Sequence, residues 1–380
     1  MKKNSKLRLE TLAIHGKTDV GERKGGNPVV PPIVNSTIFF DSPERSEDDY
    51  HYTRSANPNR DQLEALIAAL ENGTDCAMFS SGMAATSAVF QSLKPNSHVV
   101  IPNDVYHGTR RFLKEVMAPK GMLISEVDMT DTGKLLAALR ADTRLVWLES
   151  PSNPRLLITD IRAITKIAGD HNFITVVDNT WPSPINQRPI ELGADLVVHS
   201  ATKYLGGHSD ILAGAVVAGS QDIFKKVREI QSVAGAVPSA ADCWLLARSI
   251  KTLPARMRIH NESAVMIARF LNEHPKVEKV YFPGLADHPG HETAKNQMVA
   301  FGGMISFLVK GDTEKAKEVV YSSQIISAAT SLGGVESTWE HRRSSEGPQS
   351  PTPPNLIRLS VGLEHPVDLI SDIENALTQS

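Results

Sequence analysis

A lysine flanked by hydroxyls is the first place in this chain where residue types could do covalent chemistry. It lies in His199-Ser200-Ala201-Thr202-Lys203-Tyr204, and Gly206-Gly207-His208 follows. A lysine amine can capture an aldehyde, and hydroxyls beside it can bind phosphate oxygens. A lone lysine is usually a solvated surface charge, so its companions decide. Asp178-Asn179-Thr180 ends a second apolar run. A carboxylate there could serve a metal, a ribose or a protonated ring nitrogen. Ser80-Ser81-Gly82-Met83 places small residues where an apolar run passes into a helical pattern. Exposed N–H groups at a helix start suit a phosphate, although a tight turn alone would explain the glycine. Tyr106 follows a further run and could stack on a ring; taken alone it reads as a packed loop tyrosine. An aldehyde anchor, an acid and a phosphate turn together match what pyridoxal phosphate (PLP) requires. No G-x-x-x-x-G-K-[ST], H-E-x-x-H or paired C-x-x-C occurs, which leaves zinc hydrolysis unsupported and no metal site expected. His51, His107, His199 and His208 are scattered and read as structural or exposed.

These residues need elements that bring them to one place. The runs Cys76–Phe79, His98–Ile101, Leu145–Leu148, Ile174–Val177 and Leu196–Val198 lack polar alternation, as strands buried on both faces do. Helical patterns lie between them, such as Thr132–Leu139 and Ile161–Ala168. The alternation predicts an open, mostly parallel α/β sheet, in which ligands bind at the carboxyl ends of strands. Asn57-Pro58 reads as a helix start, and Gly73 can end that helix. Residues 239–272 read as long helix. Beyond 300, Ile305–Val309, Thr313–Tyr321, Leu356–Val361 and Val367–Leu377 read as a smaller α+β domain, with a polar Pro/Ser-rich loop over 340–355. Gly25-Gly26-Asn27-Pro28 and Pro31-Pro32 mark an extended arm that is expected to lie on another domain or subunit. The expected division is an arm over 1–55, a cofactor domain over 56–247 and a C-terminal domain over 248–380.

At 380 residues the chain fits two domains, and its 41% hydrophobic and 22% charged content is ordinary for a globular protein. A formal net charge of -3 gives no reason to expect nucleic-acid or membrane binding. Two isolated cysteines, Cys76 and Cys243, cannot build a disulfide framework, which suits a reducing compartment. The basic start Met1–Lys6 runs into a polar segment, so no signal peptide is expected and the expected location is the cytoplasm.

Longer motifs then become recognisable. They are Tyr52-Thr53-Arg54-Ser55-Ala56-Asn57-Pro58, Phe79-Ser80-Ser81-Gly82-Met83, Asp178-Asn179-Thr180, Ser200-Ala201-Thr202-Lys203-Tyr204, Ser331-Leu332-Gly333-Gly334-Val335-Glu336-Ser337 and Ile357-Arg358-Leu359-Ser360-Val361-Gly362. Through them almost the whole chain resembles the Cys/Met-metabolism family of PLP enzymes. That family includes cystathionine γ-synthase, cystathionine γ-lyase, methionine γ-lyase and cystathionine β-lyase. The resemblance implies the fold-type I architecture and a homotetramer of two active dimers. It implies that Lys203 holds the cofactor aldehyde and later moves protons. Asp178 would pair with the pyridinium nitrogen, and Tyr106 would stack on the ring. Gly82, Met83, Ser200 and Thr202 would hold the phosphate, joined by Tyr52 and Arg54 of a neighbouring subunit. Arg358 would grip the substrate carboxylate, assisted by Asn153 and Ser331. Arg111 would line the distal end of the substrate pocket.

Glu336 favours γ chemistry within this resemblance, because β-lyases often carry an aromatic there. Gly108 stands where methionine γ-lyases carry a reactive cysteine, which argues against methionine. Several residues depart from the pattern. His51 replaces a common acid, Ala56 and Asn59 replace Gly and Thr, and Trp181 stands where Phe is common. In Thr338–Pro354 the usual His-Pro and Met-Thr-His are absent. The leading expectation is a lyase performing γ-elimination on a γ-substituted amino acid such as cystathionine. Alternatives are γ-replacement on an activated homoserine, canavanine γ-cleavage with Glu336 and Glu340 facing the cation, aminotransfer, and a non-enzymatic PLP-binding regulator.

Overall fold

The apolar runs become strands whose side chains enter different cores on the two faces of one sheet. In the computed structural model Val176, Leu196 and Val198 join one buried cluster, while Val177 and Val197 fall in others. The strands are β1 (Asp75–Phe79), β2 (His98–Pro102), β3 (Leu123–Val127), β4 (Thr143–Glu149), β5 (Ile174–Asp178), β6 (Leu196–Ser200) and β7 (Gly214–Ala218). Their order is β1-β7-β6-β5-β4-β2-β3. Strands β3, β2, β4, β5 and β6 are parallel, and β7 is antiparallel to both β6 and β1. Six strands therefore point one way. The sheet is mostly parallel, as expected, and contains two strands beyond the five runs. β3 has a mixed, partly exposed pattern at the sheet edge, and β7 is built from small residues, so neither stood out. Residues 7–16, 26, 28–44, 46, 49–219, 221–347 and 350–379 are described. Met1–Lys6, Gly25, Asn27 and Pro348-Gln349 lie outside them.

A second, five-stranded sheet has the order β10-β11-β12-β9-β8. It consists of β8 (Val277–Tyr281), β9 (Met304–Val309), β10 (Ser327–Ala328), β11 (Thr338–His341) and β12 (Leu356–Ser360). Its core includes Phe307, Trp339, Ile357 and Leu359, together with residues of the helices Leu253–Glu273, Thr313–Ser322 and Pro366–Gln379. The α+β character matches expectation, but the polar loop does not. Residues 338–341 are a strand, Arg342–Glu346 is a short helix, and Glu340, His341 and Arg342 are buried. Glu340 pairs with Arg342, and His341 bonds the Ser344 hydroxyl and the Pro354 carbonyl, which removes the need for solvent.

Local chemistry sets the other boundaries. Asn57 caps the helix Pro58–Glu71 by accepting from the Asn59 N–H at 3.0 Å. The helix ends at Asn72, which takes the left-handed conformation expected of Gly73. Gly73 is needed for closeness instead, since a Cβ there would lie 2.4 Å from Val217. The long helical stretch is two helices, Ala240–Ile250 and Leu253–Glu273, the second carrying proline in its first turn. The first of these spans the expected 247/248 division.

Glu64 ties the helix Pro58–Glu71 to β1, the strand that leads into the phosphate turn. Its carboxylate accepts from Met78 N–H at 2.7 Å, Gln231 at 3.0 Å and Arg228 at 2.7 Å. Glu64→Ala would strand the buried Met78 N–H, while Gln231 keeps the Met78 carbonyl and Arg228 keeps Asp75. We predict a loss of about 2–3 kcal/mol in urea unfolding. An unchanged urea midpoint would show that the three donors find other partners.

Candidate active site

Because six strands share a direction, Phe79, Pro102, Glu149, Asp178 and Ser200 all end at one edge of the sheet. A cavity of about 210 Å³ opens there. At its floor, Ser81 caps the helix Gly82–Gln91 by accepting from Ala84 N–H at 3.0 Å. Gly82 is packed so tightly on β6 that a Cβ would meet Ser200 at 2.8 Å. This brings the helix start, with Gly82 and Met83, against Ser200 and Thr202, all lining the cavity. Small residues, N–H groups and hydroxyls in this cradle fit a phosphate.

Asp178 is sunk in the cavity wall. It accepts from the Thr180 N–H at 3.1 Å and hydroxyl at 2.5 Å, and that hydroxyl accepts from Ser200 N–H. Burial pushes its carboxyl above the usual range, while Thr180 and nearby His199 pull the other way. A desolvated carboxyl facing a cavity suits a cationic ring nitrogen. His199, expected to be structural or exposed, is fully buried with Nε2 2.6 Å from Glu71. Glu149, the cross-strand partner of Asp178, receives the Tyr106 N–H at 2.8 Å. Burial and the Asp178 charge raise its pKa well above the carboxylate range. Tyr106 lines the cavity beside His107, with ring centroids 4.6 Å apart. A Cβ on Gly108 would come within 2.5 Å of the Tyr106 ring, so this ring position excludes a larger residue there.

Lys203 enters from the turn after β6. Its amine donates to Ser331 Oγ at 2.6 Å. Burial first, and then Arg358, lower its pKa to about 8, with Arg342 adding to the effect. Ser331 sits at φ 82°, and its carbonyl accepts from Arg358 Nη2 at 3.2 Å. Arg358 Nη1 donates to Asn153 at 3.0 Å. Burial, with Arg342 next, lowers the Arg358 pKa to about 10.

Four residues named from the sequence lie elsewhere. Arg111 points outward from a helix and pairs with Glu115 at 3.0 Å, so it does not line the cavity. Glu336 is exposed and outside the lining, at the end of a bend over residues 334–336, and the next residue, Ser337, is held by Glu364 through its N–H and hydroxyl. Tyr52 and Arg54 are exposed, with Arg54 bonded to the Ser232 carbonyl. In their place the cavity gains Glu149, His107, Trp181 and Arg342. Glu149 was legible as the end of its apolar run; the others carried no signal of spacing.

The match to the Cys/Met metabolism PLP-dependent enzyme family model runs over residues 10–378. The chain belongs to that family. It is a PLP-dependent enzyme of the lyase or transferase kind. It is 42% identical to a cystathionine β-lyase of Coxiella burnetii, over 98% of this chain and 99% of that protein. It is 43% identical to a cystathionine γ-synthase of Mycobacterium tuberculosis, over 92% of this chain and 91% of that protein. The crystal structure of a cystathionine γ-lyase from Lactobacillus plantarum, complexed with L-serine, superposes with a TM-score of 0.91 at 38% identity, covering 97% and 98% of the two chains. The cradle, the buried Asp178 and the cavity-facing amine fit PLP in this family.

The lowered pKa of Lys203 has a consequence for loading. Only the neutral amine attacks an aldehyde, and a lowered pKa makes it available at lower pH. Borohydride-trapped capture of PLP by apoenzyme should rise with pH and level off not far above about 8. A rise continuing to the ordinary lysine value of 10.5 would show an amine that burial and Arg358 do not perturb.

Proposed function

We propose that this enzyme performs γ-elimination on an amino acid with a leaving group at Cγ, such as cystathionine. The observation that carries this is the double role of Ser331, whose hydroxyl takes the Lys203 amine while its carbonyl takes Arg358. An amino acid held by its carboxylate at Arg358 places Cα and Cβ beside the amine that must move protons. Arg358 offers a planar fork for the carboxylate, with Asn153 fixing its tilt. PLP, when bound, supplies the electron sink for charge developing at Cα and Cβ. Lys203 takes the proton from Cα, and a depressed pKa keeps it neutral enough to do so. Asp178 opposes the ring nitrogen, and burial, then the Asp178 charge, disfavour a second negative charge on its neighbour Glu149. Tyr106 forms the ring's stacking surface. Gly82, Met83, Ser200 and Thr202 hold the phosphate.

The second reading is γ-replacement on an activated homoserine, supported by the likeness to the γ-synthase. Canavanine has less support. Its distal cation would need Glu336 or Glu340, but Glu336 is exposed and Glu340 is engaged by two arginines. With cystathionine and water alone, holoenzyme should release cysteine, 2-oxobutyrate and ammonia, and Lys203→Ala should not; release of homocysteine and pyruvate instead would mean elimination at Cβ and defeat the reading. Release that requires an amino acceptor would point to aminotransfer. Turnover only of an activated homoserine with a thiol acceptor would establish replacement and defeat the elimination reading.

The assembly we propose is a cytoplasmic homotetramer, a dimer of dimers in which residues 1–55 reach a neighbouring copy. The domains over 56–247 and 248–380 then form each subunit's body. Val29, Ile38 and Phe40 in the arm are highly exposed, as are Leu212 at the cavity and Val233 close to the Ser232 partner of Arg54. Apolar exposure of this extent fits a surface that another copy covers. Tyr52 and Arg54 would complete the phosphate cradle across that contact. Mixing inactive Arg54→Ala with inactive Lys203→Ala subunits should restore activity, since hybrid dimers hold one intact site. No recovery after verified exchange of subunits would mean that each site is self-contained.

A further inference from the structure

The segment that departs furthest from the family pattern puts a second guanidinium in the cavity. Register pairs Glu340 on β11 with Arg358 on β12, and the Glu340 Oε1 lies 2.5 Å from Arg358 Nη2. The same oxygen receives Arg342 Nη1 at 2.9 Å. One carboxylate oxygen thus holds two guanidiniums side by side. Arg342 Nε donates to Glu346 at 2.8 Å, and its Nη2 donates to His107 Nδ1 at 3.1 Å. Glu346 is fixed in turn by the Ser350 and Thr352 hydroxyls. Burial alone would raise the Glu340 carboxyl, but Arg358 and then Arg342 outweigh it and hold it below the usual range.

The charges in this network are sorted by direction. Arg342 and Arg358 line the cavity, whereas Glu340 and Glu346 do not. The carboxyls that do line it, Glu149 and Asp178, sit at the sheet end where the cofactor ring is expected. The substrate side of the cavity is therefore positive. Arg358 has an assigned partner in the substrate's α-carboxylate, and Arg342 has none. A guanidinium has five N–H groups. Arg342 makes three bonds, to Glu346, Glu340 and His107, which leaves one N–H on each Nη without a partner among the described residues. That pair of donors can meet a second anionic group.

We infer that Arg342 is a specificity residue that binds a carboxylate at the far end of the substrate's Cγ substituent. This rests on the elimination and replacement reading above and narrows it. Substituents that end in a carboxylate, whether a thioether-linked amino acid or a dicarboxylic ester, are preferred. Neutral acyl groups and distal cations are not. Arg342 takes the role that the sequence assigned to Glu336 and Arg111.

The test uses amino acids that have no leaving group, so binding is read without turnover. L-2-Aminoadipate, L-norleucine and L-lysine have similar chains ending in a carboxylate, a methyl and an ammonium. Their affinities are read on PLP-loaded enzyme from the change in cofactor absorbance. Wild type should bind 2-aminoadipate about tenfold more tightly than norleucine, as a charge-assisted hydrogen bond implies, with lysine weakest. Arg342→Gln should remove this advantage while leaving norleucine affinity close to wild type, and Arg342→Lys should restore part of it. If Arg342→Gln weakens 2-aminoadipate and norleucine equally, Arg342 merely positions Arg358 and the inference fails. Should the variants not fold, wild type still decides, because equal binding of 2-aminoadipate and norleucine overturns the inference. Failure of all three amino acids to bind would overturn the amino-acid reading and this inference together.

Discussion

The shared direction of six strands is the constraint on which the site depends. A parallel strand buried on both faces can return its chain only through a crossover, so the segments leaving the carboxyl ends meet along one edge. That edge receives the helix start at Gly82, the loop carrying Tyr106, Glu149, Asp178 and the turn bearing Lys203. None of these is close in sequence to all the others. Strand β7, the one reversed strand, closes the gap between β1 and β6 with small residues. Its smallness matters, because a Cβ on Gly214 would lie 2.1 Å from the Ser81 carbonyl, and the helix start could not seat against β6.

The second sheet contributes the opposite charge. Asp178 and Glu149 come from the first sheet, and Arg358 comes from β12 of the second, with Arg342 just past β11. Lys203 lies between these groups, and Ser331 links it to Arg358. Ser306 on β9 anchors the second sheet to the Pro154 carbonyl at 2.7 Å, beside the Asn153 that steadies Arg358. In a buried site such charges act through a lower effective dielectric than water, so their placement governs both proton affinity and the polarity of what binds. The lowered pKa of Lys203 and the raised pKa of Glu149 have the same first cause, burial, and the fixed neighbours add to it in opposite senses.

The parts visible in the sequence are those written in local pattern. The apolar runs gave five of the seven strands, and residues leaving them gave Asp178 and Lys203. A capping asparagine marked the start of Pro58–Glu71. The parts that were missed depend on distant pairing. Residues 340–355 read as a solvated loop because polarity was equated with exposure. Glu340, Arg342 and Arg358 satisfy one another across a strand register and a short helix, and no periodicity records that. Glu336 read as a pocket acid from its motif, but it lies exposed in a bend just before Ser337, which Glu364 holds. The same limit explains why Arg111, two-thirds exposed, was assigned to a pocket it does not enter.

Stability alone does not account for the arginine-glutamate network. Removing charges from water costs several kcal/mol per ion, and well-packed apolar side chains often serve a fold equally well. Arg342 and Arg358 each have a side chain nearly closed to solvent, and so do Glu340 and Glu346. What apolar residues could not supply is direction. Two carboxylates behind two guanidiniums balance the charge in sum while leaving the positive ends toward the cavity. Arg358 is held at a fixed tilt by Asn153, Ser331 and Glu340 before any substrate arrives. Preorganised donors need no rearrangement when an anion enters, so the cost of burying the network is met in folding rather than in each binding event.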